Sequence, residues 1–173
     1  MIDLATPWIA IRSFFESGGD VLWAIFAATI IMWTLIIERL WYFQKVLPVK
    51  IAAAHEEWTE RQDRTSWASR KIRRQLISEV SIAAKHNVGT IQVLMAILPL
   101  LGLLGTVTGM IQVFNVMASA GTSNARLMAG GVSAATIPTM SGLVAALSGL
   151  YLAVYLSRSA DKARRVVTDI LAD

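Results

Sequence analysis

Between His86 and Ala125 the chain carries no Asp, Glu, Lys or Arg. A run of that length buries only in lipid or against other apolar helices, since a helix crossing a bilayer needs roughly 20 apolar residues. Two further apolar runs flank it, over residues 21–40 and 129–157. Charged residues crowd instead between the first and second runs and again after the third. The pattern predicts an all-α integral membrane protein with three transmembrane helices and long cytoplasmic helical extensions.

The segments follow in order. Residues 1–20 read as a periplasmic amphipathic helix, capped at Thr6-Pro7, with Leu4, Trp8, Ile11 and Phe15 at helical spacing and Gly18-Gly19 at its end. Residues 21–40 form the first span, left through Glu38-Arg39, with Trp41 and Tyr42 suited to the interface. Residues 41–87 mix charges of both signs with Trp58, Trp67, Leu76, Val80 and Ala83, and predict a water-exposed helical region continuous with the flanking spans. The second span covers 88–118, a short outer loop 119–128, the third span 129–157 and a basic cytoplasmic tail 158–173. Ten basic residues lie between Arg39 and Lys85, against Arg12 and Arg126 on the other side, which places the N-terminus outside and the C-terminus inside. The first apolar run has no basic stretch before it and ends in Glu38-Arg39, so no cleavable signal peptide is expected.

The second and third spans hold the candidate chemistry. Gly102, Gly105 and Gly109 share one helical face within Leu98-Pro-Leu-Leu-Gly-Leu-Leu-Gly-Thr-Val-Thr-Gly-Met110. Ala135, Thr139, Gly142, Ala146, Gly149 and Ala153 make a matching small-residue seam on the third span. Such stripes let helices approach closely, and the two faces are expected to pack on each other. Ser133, Thr136, Thr139 and Ser141 stand opposite Thr106 and Thr108. Two readings of these hydroxyls stand side by side: each bonds back to its own helix, or together they line a path for water and protons. Pro99 and Pro138 are expected to kink their helices, freeing the carbonyls of Met95 and Ala134, which then need other partners inside a membrane.

Composition narrows the function. With 55% hydrophobic residues in 173, the chain exceeds an ordinary soluble domain in apolar content, and its net charge of +4 reflects membrane topology rather than nucleic-acid binding. There is no cysteine, and His55 and His86 stand far apart, so no metal site and no cofactor is expected. Neither the second nor the third span carries an Asp, Glu, His, Lys or Arg, so a proton-moving role needs a titrating group from a partner. Nothing matches a nucleophile elbow or a phosphate-binding loop, and no enzymatic activity is expected.

Gly102-Leu-Leu-Gly-Thr-Val-Thr-Gly109 after Pro99 resembles the second-span motif of the MotA/TolQ/ExbB proton-channel family, most nearly that of short ExbB-type proteins. Gly131-Val-Ser and the stretch from Thr139 to Ala146 resemble its third-span motif, and Gly18-Gly19 and Glu38-Arg39 also fit. The resemblance implies a homopentamer in the bacterial inner membrane enclosing an ExbD-like single-span partner, as a dimer, whose membrane Asp titrates. It further implies a TonB-like protein that receives the motion and energises outer-membrane transport. By motif position, Thr106 and Thr139 match the family's pore-facing threonines; with the hydroxyls of Thr136 and Ser133 and the freed carbonyl of Ala134 they make up the expected proton path. One departure is plain: longer ExbB and TolQ proteins carry a Glu where this chain has Ala134. A TolQ-like or flagellar-stator-like subunit, or a membrane scaffold that conducts nothing, are the alternatives.

Overall fold

The computed structural model describes residues 5–61, 63, 66–120 and 125–171. Among them all regular structure is α-helical: α1 Ala5–Thr59, α2 Trp67–Lys85, α3 Val88–Ala120 and α4 Ala125–Ile170. Three stretches are long and apolar enough to cross a membrane, within Gly18–Thr59, Trp67–Ala118 and Gly130–Ile170.

Each helix break has a local cause. Inside α1, Gly19 leaves helical geometry at φ 64°, ψ −166°, a conformation open to glycine because it has no Cβ. Ser66 caps α2 by accepting the Ser69 N–H. Asn87 takes φ 59° between α2 and α3; Asn tolerates this left-handed region better than most residues. Pro99 and Pro138 sit inside α3 and α4, which stay helical across them.

Two segments compare with the sequence expectation as follows. The helical region expected over 41–87 is made of the end of α1, which runs on to Thr59, and of α2, which starts at Trp67. The expected loop over 119–128 is narrower, because α3 runs to Ala120 and α4 begins at Ala125; the alanines there favour helix. Residues 121–124, with Gly121, Ser123 and Asn124 of that loop, lie outside the described residues. So do Leu4 and the side chains of Trp8, Ile11 and Arg126.

The chain divides into two compact units. One holds the chain up to Met32 together with Val93–Gly149. Its buried side chains are Leu22, Ile25, Met32, Leu98, Ala135, Pro138 and Ala146. Trp23, Phe26, Leu100, Leu103, Val107, Phe114, Leu143, Val144 and Leu147 are exposed, an apolar surface that suits lipid or neighbouring subunits.

The other unit holds Trp33–Gln92 and the chain from Leu150 on. Leu47, Ala54 and Trp58 of α1 pack with Leu76, Val80 and Ala84 of α2 and with Ala160, Ala163 and Val167 of α4. This charged stretch therefore has a core of its own. Trp67, by contrast, is exposed. Arg39 is buried at 4% exposure. Its guanidinium donates to the Ala83 carbonyl at 3.3 Å, to Glu38 at 3.2 Å and to Nδ1 of His86 at 2.8 Å, and it lies over the Tyr42 ring. Arginine has no acceptor, so Nδ1 of His86 must be the acceptor here. Glu38 also receives the Asn87 side-chain amide at 3.3 Å.

Candidate functional site

Glycine decides how α3 and α4 meet. A Cβ on Gly142 would come within 2.5 Å of the Leu98 carbonyl oxygen and 3.3 Å of the Gly102 Cα. A Cβ on Gly102 would come within 2.9 Å of the Thr139 Cα. Backbone lies against backbone here, and only residues without a side chain permit it. One turn on, the Pro138 ring packs on Gly105, and Ala135 packs on Gly109. The two stripes read from the sequence thus face each other. Gly149 continues the seam as a buried residue.

At the closest approach Thr139 Oγ1 donates to the Gly102 carbonyl at 2.8 Å, from α4 to α3. Four of the other hydroxyls satisfy themselves locally. Thr106 donates to Leu103 O at 2.7 Å, Thr108 to Leu104 O at 3.0 Å, Thr136 to Ser133 O at 2.8 Å and Ser141 to Ile137 O at 2.8 Å. Inside a membrane such back-bonds keep a hydroxyl from being left unpaired.

The five residues expected along a proton path therefore stand in different surroundings within the chain. Thr139 belongs to the helix–helix contact, Thr106 is half-buried, and Ser133 and Thr136 lie on the exposed side of α4. Ala134 is half-buried and lines a cleft of about 430 Å³ with Asp20, Thr108, Gln112 and Pro138. No single surface of the chain gathers all five. Asp20 and Gln112 were not picked out by sequence reasoning. The available signal was that Gln112 is a strongly polar side chain in a span of apolar and small residues, and that Asp20 directly follows the glycine pair.

Among the described residues no cluster of His, Asp or Glu is arranged to hold a metal ion. His55 and His86 both belong to the second unit, with His55 beside a groove lined by Leu47, Ile51 and Lys162.

The profile of the MotA/TolQ/ExbB proton channel family matches residues 44–168, well over half of the chain. A comparison with curated proteins finds no match.

Proposed function

The chain belongs to the MotA/TolQ/ExbB proton channel family, and we propose that within it the protein is the channel-forming motor subunit of a TonB-type complex. It is a multi-pass membrane protein of three apolar helices. In this reading five copies enclose a pair of ExbD-like single-span partners in a bacterial inner membrane, N-terminus in the periplasm and C-terminus in the cytoplasm. The partner's membrane Asp is protonated and released as protons cross, and a TonB-like protein carries the motion to outer-membrane transporters. We assign the subunit no catalytic step and no cofactor.

One observation carries this reading. The α3–α4 pair is held at backbone contact and has no Asp, Glu, His, Lys or Arg between His86 and Ala125 or between Leu127 and Ser157. Such a pair supplies a rigid apolar wall with a few hydroxyls, and a carboxylate that titrates at membrane depth has to come from outside it. The energies are matched in size. A proton falling through the membrane releases about 2.3 kcal/mol per 100 mV, and the desolvation penalty of a buried carboxylate is several kcal/mol.

A scaffold that conducts nothing also fits a wall without carboxylates, and one experiment separates the two. The protein is co-expressed with an Asp-bearing single-span membrane protein encoded beside it, and the purified product is weighed by native mass spectrometry and reconstituted for proton flux. A pentamer holding two partner helices, with flux lost on replacing the partner's Asp by Asn, is expected. A pentamer without flux means a scaffold. A monomer or dimer that ignores the partner overturns the motor reading.

A further inference from the structure

The cleft of the first unit combines groups that a packing defect does not need. Gly19 and Asp20 line it from the bend in α1, Thr108 and Gln112 from α3, and Ala134 and Pro138 from α4. Its volume of about 430 Å³ compares with about 30 Å³ for a water molecule in the liquid. Pro138 has no N–H, so the helix bond that would end on the Ala134 carbonyl does not form. That oxygen needs another donor at membrane depth. Gln112 brings an amide and Asp20 a carboxylate, both on exposed side chains. Water is held where two to four polar partners converge, and Asp20, Thr108 and Gln112 all line this one cleft. Asp20 is the only ionisable residue among those described as lining the cleft.

We propose that this cleft is an aqueous vestibule that attracts hydrated cations, with Asp20 as the group that takes up protons entering it. A hydronium ion gives its proton to the Asp20 carboxylate and leaves as water. The carboxylic acid then passes the proton to a second water in the cleft and returns to carboxylate. Gln112 and the freed Ala134 carbonyl hold that water inward of Asp20. The use of these protons rests on the channel reading above; the vestibule and its charge preference do not. The bland role for Asp20 is to stabilise the first helical turn after Gly19 through its negative charge. That role requires neither water at Ala134 nor selectivity between reagents of opposite charge.

The chain has no cysteine, so single cysteines can be placed without background. Gln112→Cys and Ala134→Cys are exposed in intact membranes to two aqueous thiosulfonates, one carrying a trimethylammonium group and one a sulfonate. Val144→Cys, on the exposed apolar face, is the lipid-facing control. Both cleft positions are expected to react, the cationic reagent about tenfold faster, as a charged cleft with low-dielectric walls concentrates counter-ions. Adding Asp20→Asn is expected to abolish that preference while labelling persists. Cleft cysteines as inert as the control, or a preference unchanged by Asp20→Asn, would overturn the proposal.

Proton flux into pyranine-loaded liposomes holding the complex separates the two readings. Asp20→Asn is expected to slow partner-dependent flux several-fold and Asp20→Glu to restore it. Normal flux in Asp20→Asn removes Asp20 from the path and leaves the channel reading standing. Absent wild-type flux alongside charge-selective labelling rejects the channel reading and upholds the vestibule.

Discussion

Thr139 of α4 donates its hydroxyl proton to the carbonyl of Gly102 on α3 at 2.8 Å, across 37 residues of sequence. That carbonyl lies inside a helix, so the bond occupies its second lone pair rather than replacing a helical bond. Thr139→Val keeps the shape and removes the donor. Interhelical hydrogen bonds in membranes are worth roughly 0.6 kcal/mol and up to about 1.7, and a loss of stability in that range is expected in a thermal melt of the detergent-solubilised protein. In the channel reading the same variant lowers partner-dependent proton flux in liposomes, and undiminished flux would remove Thr139 from the path.

Gly142→Ala tests the close approach itself. The new methyl meets the Leu98 carbonyl oxygen at 2.5 Å, an atom fixed in helical backbone that has no rotamer by which to yield. Overpacking of this kind costs about 1–3 kcal/mol, and the helices have to separate far enough to stretch the Thr139–Gly102 bond. The expected outcome is a lower melting temperature than that of Thr139→Val. Stability equal to wild type would mean that the two backbones are not in contact.

The Arg39–His86 contact is open to a double-mutant cycle. His86→Leu leaves the buried guanidinium with one acceptor fewer, at about 1–3 kcal/mol. Arg39→Met combined with His86→Leu removes both partners, and its cost should fall short of the sum of the two single changes by about 0.5–3 kcal/mol. Strict additivity in melts of the three variants would show that the pair does not interact.

Trp58 anchors the core of the second unit at 4% exposure. Trp58→Ala should cost about 3–5 kcal/mol and expose residues around the α1–α2 turn to limited proteolysis. Trp58→Phe keeps an aromatic ring, and its cost should fall well below that of Trp58→Ala, since the indole N–H is unpaired among the described residues.

The membrane part was legible from the sequence because its signals are simple ones. Charge-free length marks a span, and Gly102, Gly105 and Gly109 at helical spacing mark the face that meets another helix. The fate of the hydroxyls was not legible. Thr136 and Thr139 are three residues apart and of one type, yet one bonds within its own helix and the other across to α3. That difference depends on which side of α4 touches Gly102, a matter of helix rotation that composition does not encode. The core beneath the charged stretch escaped notice for a related reason. Leu76 and Val80 look isolated among arginines until Leu47, Ala54 and Val167 are brought alongside from distant parts of the chain. His86 had no ligand-like neighbours in sequence, and its partner Arg39 lies 47 residues away.

The second unit draws its core from both sides of the membrane segments in chain order, and this sets a sequence of events during synthesis. Leu47, Ala54 and Trp58 leave the ribosome early, whereas Ala160, Ala163 and Val167 emerge only after all three spans have been made. Chains are built from the N-terminus onward. The faces of α1 and α2 that meet α4 therefore wait, uncovered, until α4 has been translated almost to its end, and Arg73 waits likewise for the Thr168 carbonyl, 95 residues later. A nascent chain halted in the third span would be inserted in the bilayer yet still expose this surface to chaperones and proteases.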